Sequence, residues 1–311
     1  MNSHVRLSCL AGLAILLLGA CGGSATPEAT EPRGGEHVIR MDRPVQAGFR
    51  FREYRSVTSQ QAQGTRVDGV QAQREEQKIE AEMVAVVHVV EVDERGRETR
   101  VKLEVESLTG RVNGQEVSMP PAGSVLLVER SRAGQRVQLG GGGELDRTQQ
   151  AILQVILQGQ TTEGGAPQDA MLGTDRPRGV GERWSPDLEL LANDFSEAGM
   201  SLDPSDMQGE VALEEVVSCP GRQDAQCLKV VTSFEADRAS LPNLPPGAEV
   251  QDSGLEVRSV WWAPPDPSEL PARETAKVEM HLRASSVAQG RDVEHEFEMR
   301  SDVDRRFEPL P

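Results

Sequence analysis

Cys219 and Cys227 offer the clearest side-chain chemistry in the chain. They flank Pro220-Gly221-Arg222-Gln223-Asp224-Ala225-Gln226, between runs that both read as strands. In an oxidising compartment this spacing predicts a disulfide clamping a hairpin. Two free thiols or a metal pair are the alternatives, and no histidine lies near them in sequence. His37, His88, His281 and His295 show no ligand spacing such as His-x-x-x-His. A site assembled in space from His281, His295 and carboxylates stays open, but no metal or other cofactor is expected. Gly140-Gly141-Gly142-Gly143 sits where a phosphate loop would, yet runs on into Glu144-Leu145-Asp146 instead of Lys-Ser/Thr. Those carboxylates would repel phosphate and suit a helix N-terminus. No serine stands in a Gly-x-Ser-x-Gly elbow, and EF-hand spacing is absent. The expectation is a protein that is not an enzyme.

Three further side chains are candidates for facing a ligand. Trp261 and Trp262 are adjacent in a predicted strand, so they face opposite sides of the sheet. One can fill the core, while the other is exposed, covered by the Pro264–Pro271 loop, or lining a cavity. His295 stands in register with Val293, Phe297 and Met299 and should point inward, whereas His281 falls on a polar face.

A third cysteine has another setting. Met1–Arg6 carries one cation, and Leu7–Ala20 is apolar. About 14 apolar residues are too few to span a bilayer, which takes ~20, and suit the core of a signal peptide. Leu18-Gly19-Ala20-Cys21 resembles the bacterial lipobox, a leucine and two small residues before a modified cysteine. The resemblance implies cleavage before Cys21, diacylglycerol on its sulfur and an acyl chain, such as palmitate, on the new amino terminus. An ordinary signal peptide that happens to contain a cysteine is the alternative. Gly22 stands where an Asp would mark inner-membrane retention, which implies outer-membrane sorting in a Gram-negative host. Residues 1–20 are then signal peptide, and 21–46, rich in Gly, Pro, Thr, Ser and Glu, a lipidated tether. Residues 47–308 are read as one β-rich domain, with halves 47–160 and 180–308 as the alternative division.

Removing residues 1–20 from 311 leaves 291, long enough for one large all-β domain. The net charge of −17 includes only Arg6 from the signal, so the mature body is near −18. A nucleic-acid partner needs a positive footprint, and none is visible. Anionic headgroups should repel this body, leaving membrane contact to the lipid.

The body reads as strands and turns. Val101, Leu103 and Val105 alternate with Lys102, Glu104 and Glu106, and Asn113-Gly114 is a strong hairpin signal. Lys78–Val92 is a valine-dense strand, while the polar Gln60–Arg74 reads as a loop. Ser124–Arg130 and Gln135–Leu139 pair around Ala133-Gly134. Glu144–Gln158 places Leu145, Ile152, Val155 and Ile156 at helical spacing. The second half repeats the meander through Glu210–Ser218, Leu228–Phe234, Leu255–Trp262, Ala276–Ala284 and Val293–Met299. The fold class is mainly β: a curved antiparallel meander with one amphipathic helix on one face.

With the Gly179-Val180-Gly181-Glu182-Arg183-Trp184 return after the helix, this order resembles a family of bacterial lipoproteins of unknown function, similar in turn to the periplasmic lipoprotein carriers. That resemblance spans about residues 46–307 and implies a half-barrel with a concave apolar cavity; it brings no catalytic residues. The function expected is a non-enzymatic binding role at the cell envelope, for an apolar or lipid-like ligand. The alternative is an assembly lipoprotein that binds another envelope protein through its acidic outer face or an edge strand.

Overall fold

A computed structural model describes residues 35–310 apart from 132–133, 158–166, 198, 223, 241–243 and 246. Cys21 and the signal segment lie outside the described residues. The chain lays down β1 (Glu36–His37), β2 (Arg50–Val67), β3 (Val70–Val92), β4 (Glu98–Val112), β5 (Gln115–Glu116), β6 (Val125–Ser131) and β7 (Gly134–Leu139). Then come α1 (Arg147–Ile156), α2 (Gln168–Met171), β8 (Arg178–Gly179), β9 (Arg183–Trp184) and α3 (Leu188–Glu197). The chain finishes with β10 (Met207–Ser218), β11 (Gln226–Asp237), β12 (Glu249–Ala263), β13 (Arg273–Ala288) and β14 (Arg291–Pro309).

Twelve of these strands form one antiparallel sheet in the order β7-β6-β4-β3-β2-β14-β13-β12-β11-β10-β9, with β5 added on β4, and β1 and β8 pair as a separate two-stranded sheet. The sheet curves but does not close, because β7 and β9 remain separate edges. Each half of the chain is a meander, as the short connections require. The first and last long strands pair at the centre, from Val293 opposite Val67 to Pro309 opposite Phe51. This β2–β14 seam makes the two halves continuous.

Alternation decides which face is which. Phe51, Val57, Met83, Val87, Leu103, Leu126, Val278, Leu255 and Phe234 point inward and are buried, while their neighbours along each strand face outward, among them Arg52, Lys102, Glu104, Lys277 and Glu279. Helix α1 lies on the inner face against β2, β3 and β7, with Ile152, Leu153, Val155 and Ile156 buried. Each such side chain contributes about 1.5–3 kcal/mol by leaving water. Asp146 caps α1 by accepting from the backbone of Thr148 and Gln149, and Gln149 returns a bond to Asp146. Gly110 on β4 makes room for the helix, since a Cβ there would come within 2.8 Å of Ile152.

Three expectations are corrected. Gln60–Arg74 is not a loop: it forms the ends of β2 and β3, joined by Asp68-Gly69 at φ +50° and +78°, the geometry of a two-residue hairpin turn. This arm reaches beyond the core and β3 is exposed on both faces there, so no alternation marks it. Among the described residues, α2 and α3 join the one helix that was expected, α1. Helix α3 buries Leu191, Ala192 and Phe195, and Phe195 meets Phe234 of β11 edge-on at 5.4 Å. Finally, residues 36–45, assigned to the tether, pack into the body with Ile39, Met41 and Val45 in the core. Their apolar spacing is lost in the polar average of the segment. Among the described residues no helix is long and apolar enough to cross a membrane.

Candidate functional site

Two places gather charge, one on each face of the sheet. On the inner face the seam carries Arg55 of β2 directly opposite Arg305 of β14, with Glu274 of β13 opposite Arg305. Two cations side by side need an anion between them, and Glu53 supplies it. Its Oε1 accepts from Arg55 Nε at 3.0 Å and Nη2 at 2.6 Å, and from Arg305 Nε at 2.8 Å. Arg305 Nη1 donates to Glu274 Oε2 at 3.1 Å. Arg55 Nη1 donates to the carbonyl of Ile156 at 2.7 Å, placing positive charge at the C-terminus of α1. All four side chains are buried.

Burial alone would push the Glu53 carboxyl up, but Arg55 and Arg305 outweigh it and hold it at about 2. Glu274 goes the other way, pushed up to about 7 chiefly by burial, with Arg305 opposing and Glu53 adding to the rise. Each charge has its partner, and α1 closes the cluster from above. The arrangement joins strand to strand and sheet to helix.

The outer face is built differently. Two cross-strand rows run over β2, β14, β13, β12 and β11 through Ala62, Glu298, His281, Gly254, Asp237 and through Gln60, Arg300, Glu279, Glu256, Glu235. They line an open groove of about 600 Å³. Gly254 forms part of its floor: the His281 ring lies across it, and a Cβ at 254 would come within 2.5 Å of His281 Cε1. Five carboxylates meet one arginine and one histidine. Glu279 is matched by Lys277 Nζ at 2.6 Å and Arg300 Nη1 at 3.6 Å. Among the described residues, Glu235 and Glu256 form no ion pair although they stand directly opposite each other.

The residues singled out from sequence are not brought together. Trp261 is buried on the inner face, opposite Glu274. Trp262 is on the outer face, half-buried beneath the Arg273 guanidinium at 5.2 Å and against the disulfide Cys219–Cys227 with Ala272. His295 is half-buried on the inner side near the far end of β14, 3.2 Å from Ser286 Oγ, and burial lowers its pKa. His281 is exposed, 3.6 Å from Asp252. Among the described residues no three His, Cys, Asp or Glu side chains gather as a metal site. The inner face is filled by α1, α3 and the 36–45 segment where the resemblance implied a cavity. The Gly181-Trp184 return ends in β9: Gly181 N–H donates to the Leu213 carbonyl at 2.7 Å, Leu213 N–H donates to the Glu182 carbonyl at 3.2 Å, and Trp184 Nε1 donates to the Leu172 carbonyl at 2.9 Å.

The outer carboxylate row escaped the sequence reading because it needs the register of three strands. Each glutamate alone was an ordinary solvent-facing residue.

No protein-family model matches the chain, and no curated protein matches it. Among solved structures, one of lipid–protein interactions in lipovitellin is 9% identical with a TM-score of 0.36, over 86% of this chain and 26% of that one. The chain thus spans about a quarter of the lipovitellin chain. OpdQ of Pseudomonas aeruginosa is 7% identical with a TM-score of 0.21, over 86% of this chain and 100% of its own. At these scores neither likeness identifies a shared fold.

Proposed function

We propose that this chain is a lipid-anchored protein of the bacterial envelope, without enzymatic activity, that binds a cationic segment of another envelope protein along the outer face of its sheet. The observation that carries this reading is the row Glu235, Glu256, Glu279. Like charges directly opposite on neighbouring strands destabilise a sheet, and here, among the described residues, Glu235 and Glu256 form no ion pair. A partner's lysine or arginine between them relieves that repulsion, so part of the binding energy is stored in the free protein. The groove supplies the length of five strands for an extended partner, and the net charge of −17 steers cations towards it.

Membrane attachment comes from the Cys21 lipid. An extended chain between Cys21 and β1 reaches roughly 50 Å at most, which keeps the body close to the membrane surface. Replacing Cys21 with alanine should shift the protein from membrane to soluble fractions; continued membrane retention would sink the anchor.

The groove is tested by titrating a fluorescent oligolysine peptide into the mature protein. The pair Glu235→Gln with Glu256→Gln should weaken binding several-fold, and more at low salt. The same charge change on the hairpin arm, Glu75→Gln with Glu76→Gln, should have a smaller effect. Equal losses from both pairs would show attraction to overall charge and overturn the assignment to the groove.

A further inference from the structure

The sheet ends at β7 before its side-chain pattern does. On the inner face one apolar row crosses four strands through Val89, Val101, Val128 and Val137. A second runs beside it through Val87, Leu103, Leu126 and Leu139. The first three members of each row are buried, but Val137 and Leu139 are only half-buried, since among the described residues no strand lies beyond them. On the outer face Glu91, Arg100, Glu129 and Arg136 stand opposite one another across the same four strands, with alternating sign. Among the described residues Arg136, the last of them, forms no ion pair.

The backbone of β7 is open on the same side. Gly140 N–H donates to the Val125 carbonyl at 2.8 Å, so alternate residues before it turn towards β6, whereas Gln135, Val137 and Leu139 turn away. Gln154 of α1 takes the Gln135 carbonyl at 3.2 Å, and Gly142 N–H takes that of Leu139 at 3.1 Å. Among the described residues, both backbone groups of Val137 and the N–H groups of Gln135 and Leu139 have no partner. The Gln135 carboxamide nitrogen and oxygen are enclosed and likewise unpartnered. The opposite edge is closed instead: β9 pairs with Val211 and Ala212, Gly181 and Glu182 bond Leu213, and a bulge follows between Leu213 and Glu215. Bulges and short covering strands block further pairing, and β7 pairs with β6 without a bulge.

We propose that β7 is a docking edge on which an extended segment of a partner protein adds as a further antiparallel strand, with apolar residues facing Val137 and Leu139 and a carboxylate facing Arg136. Val137 turns both backbone groups outward, so it forms a hydrogen-bonded pair with the guest residue opposite. Arg136 then belongs to a non-hydrogen-bonded pair, in which side chains approach most closely and an opposite charge contributes most. The guest continues the two apolar rows inside and the alternating charges outside, as in the sequence Val-Thr-Val-Glu-Thr. This site goes beyond the outer-groove reading and shares no residue with it.

The test is an NMR titration of the isotope-labelled mature protein with an end-capped Val-Thr-Val-Glu-Thr peptide, at physiological salt so that the overall negative charge is screened. Amide signals of residues 134–140 should shift and saturate, while those of the outer groove stay in place. Methylating the amide nitrogen of the valine that faces Val137 keeps every side chain and should weaken binding about tenfold. Exchanging the peptide's glutamate for glutamine should weaken it about threefold, and Arg136→Gln in the protein should erase that difference. Val137→Pro removes an outward N–H and leaves the β6 ladder intact, so it should match the methylated peptide; if that variant fails to fold, the methylated peptide decides. The proposal is overturned if the signals of β7 do not shift, or if the methylated peptide binds as well as the plain one. It is also overturned if the protein dimerises through this edge without peptide and Val137→Pro keeps it monomeric, since the occupant is then a second copy.

Discussion

The seam and the outer groove set the same problem and solve it in opposite ways. Arg55 faces Arg305 on the inner side, and Glu235 faces Glu256 on the outer side, each pair directly opposed on neighbouring strands. Inside, the chain places Glu53 between the cations and Glu274 beside them. Outside, among the described residues, the facing anions have no such bridge. Burial explains the difference: an uncompensated charge out of water is costly, whereas an exposed one is hydrated and screened. Unpaired like charges can therefore persist on the outer face at small cost, where they remain available to a partner. The inner cluster holds the fold, and the outer row is the surface proposed to bind a cationic partner.

The largest effect should come from removing the inner bridge. Glu53→Ala leaves two buried guanidinium groups facing each other and should cost about 3–5 kcal/mol of stability, read from urea unfolding. A loss under about 1 kcal/mol would mean that the cluster is hydrated, and the contrast between the faces would collapse. Coupling Glu53→Ala with Arg305→Met should recover part of the loss, since one of the opposed cations is gone.

A smaller effect distinguishes the two inner carboxylates by pH. Glu53 is held at about 2, below its usual 4.5, so its contribution is present above pH 4.5 and lost as pH falls towards 2. Glu274 is raised to about 7, so its contribution is present below pH 4.5 and lost as pH rises through 7. Glu274→Gln should therefore flatten the decline in stability between pH 4.5 and 7. Asp42, also raised to about 7, contributes with the same sign, so the slope should shrink without vanishing. Identical slopes in wild type and variant would show that Glu274 is charged throughout this range.

Much of this contrast is visible in the sequence only in part. Alternation in Val101–Glu106 and in Ala276–Ala284 marks one buried and one solvated face, and Asn113-Gly114 forms its hairpin with φ of +52° and +78°. Helix α1 was legible from its spacing and acidic cap, and Cys219–Cys227 from the strands that flank it. The arm of β2 and β3 was not, because solvent on both faces erases the period of two; yet Asp68-Gly69 is a turn dipeptide of the same kind. Asp187 before Leu188, with Leu191, Ala192 and Phe195 at helical spacing, likewise signals α3. The charge clusters were beyond reach for a different reason. Arg55 and Arg305 lie 250 residues apart, and no local pattern says that the first and last strands pair.

The smallest effect is the most diagnostic for the outer face. Neutralising Glu256 removes repulsion with Glu235 on one side and Glu279 on the other, so Glu256→Gln should stabilise the free protein by about 0.2–1 kcal/mol. Raising the salt concentration should shrink that gain, because these charges are exposed. Glu279→Gln should give no comparable gain, since Glu279 already has Lys277 and Arg300 as partners. A variant that is more stable alone yet binds the cationic peptide less well shows that Glu256 is kept for binding rather than for folding. If Glu256→Gln instead destabilises the protein, a compensating cation lies near Glu256 in solution, and the outer face is no more available than the inner one.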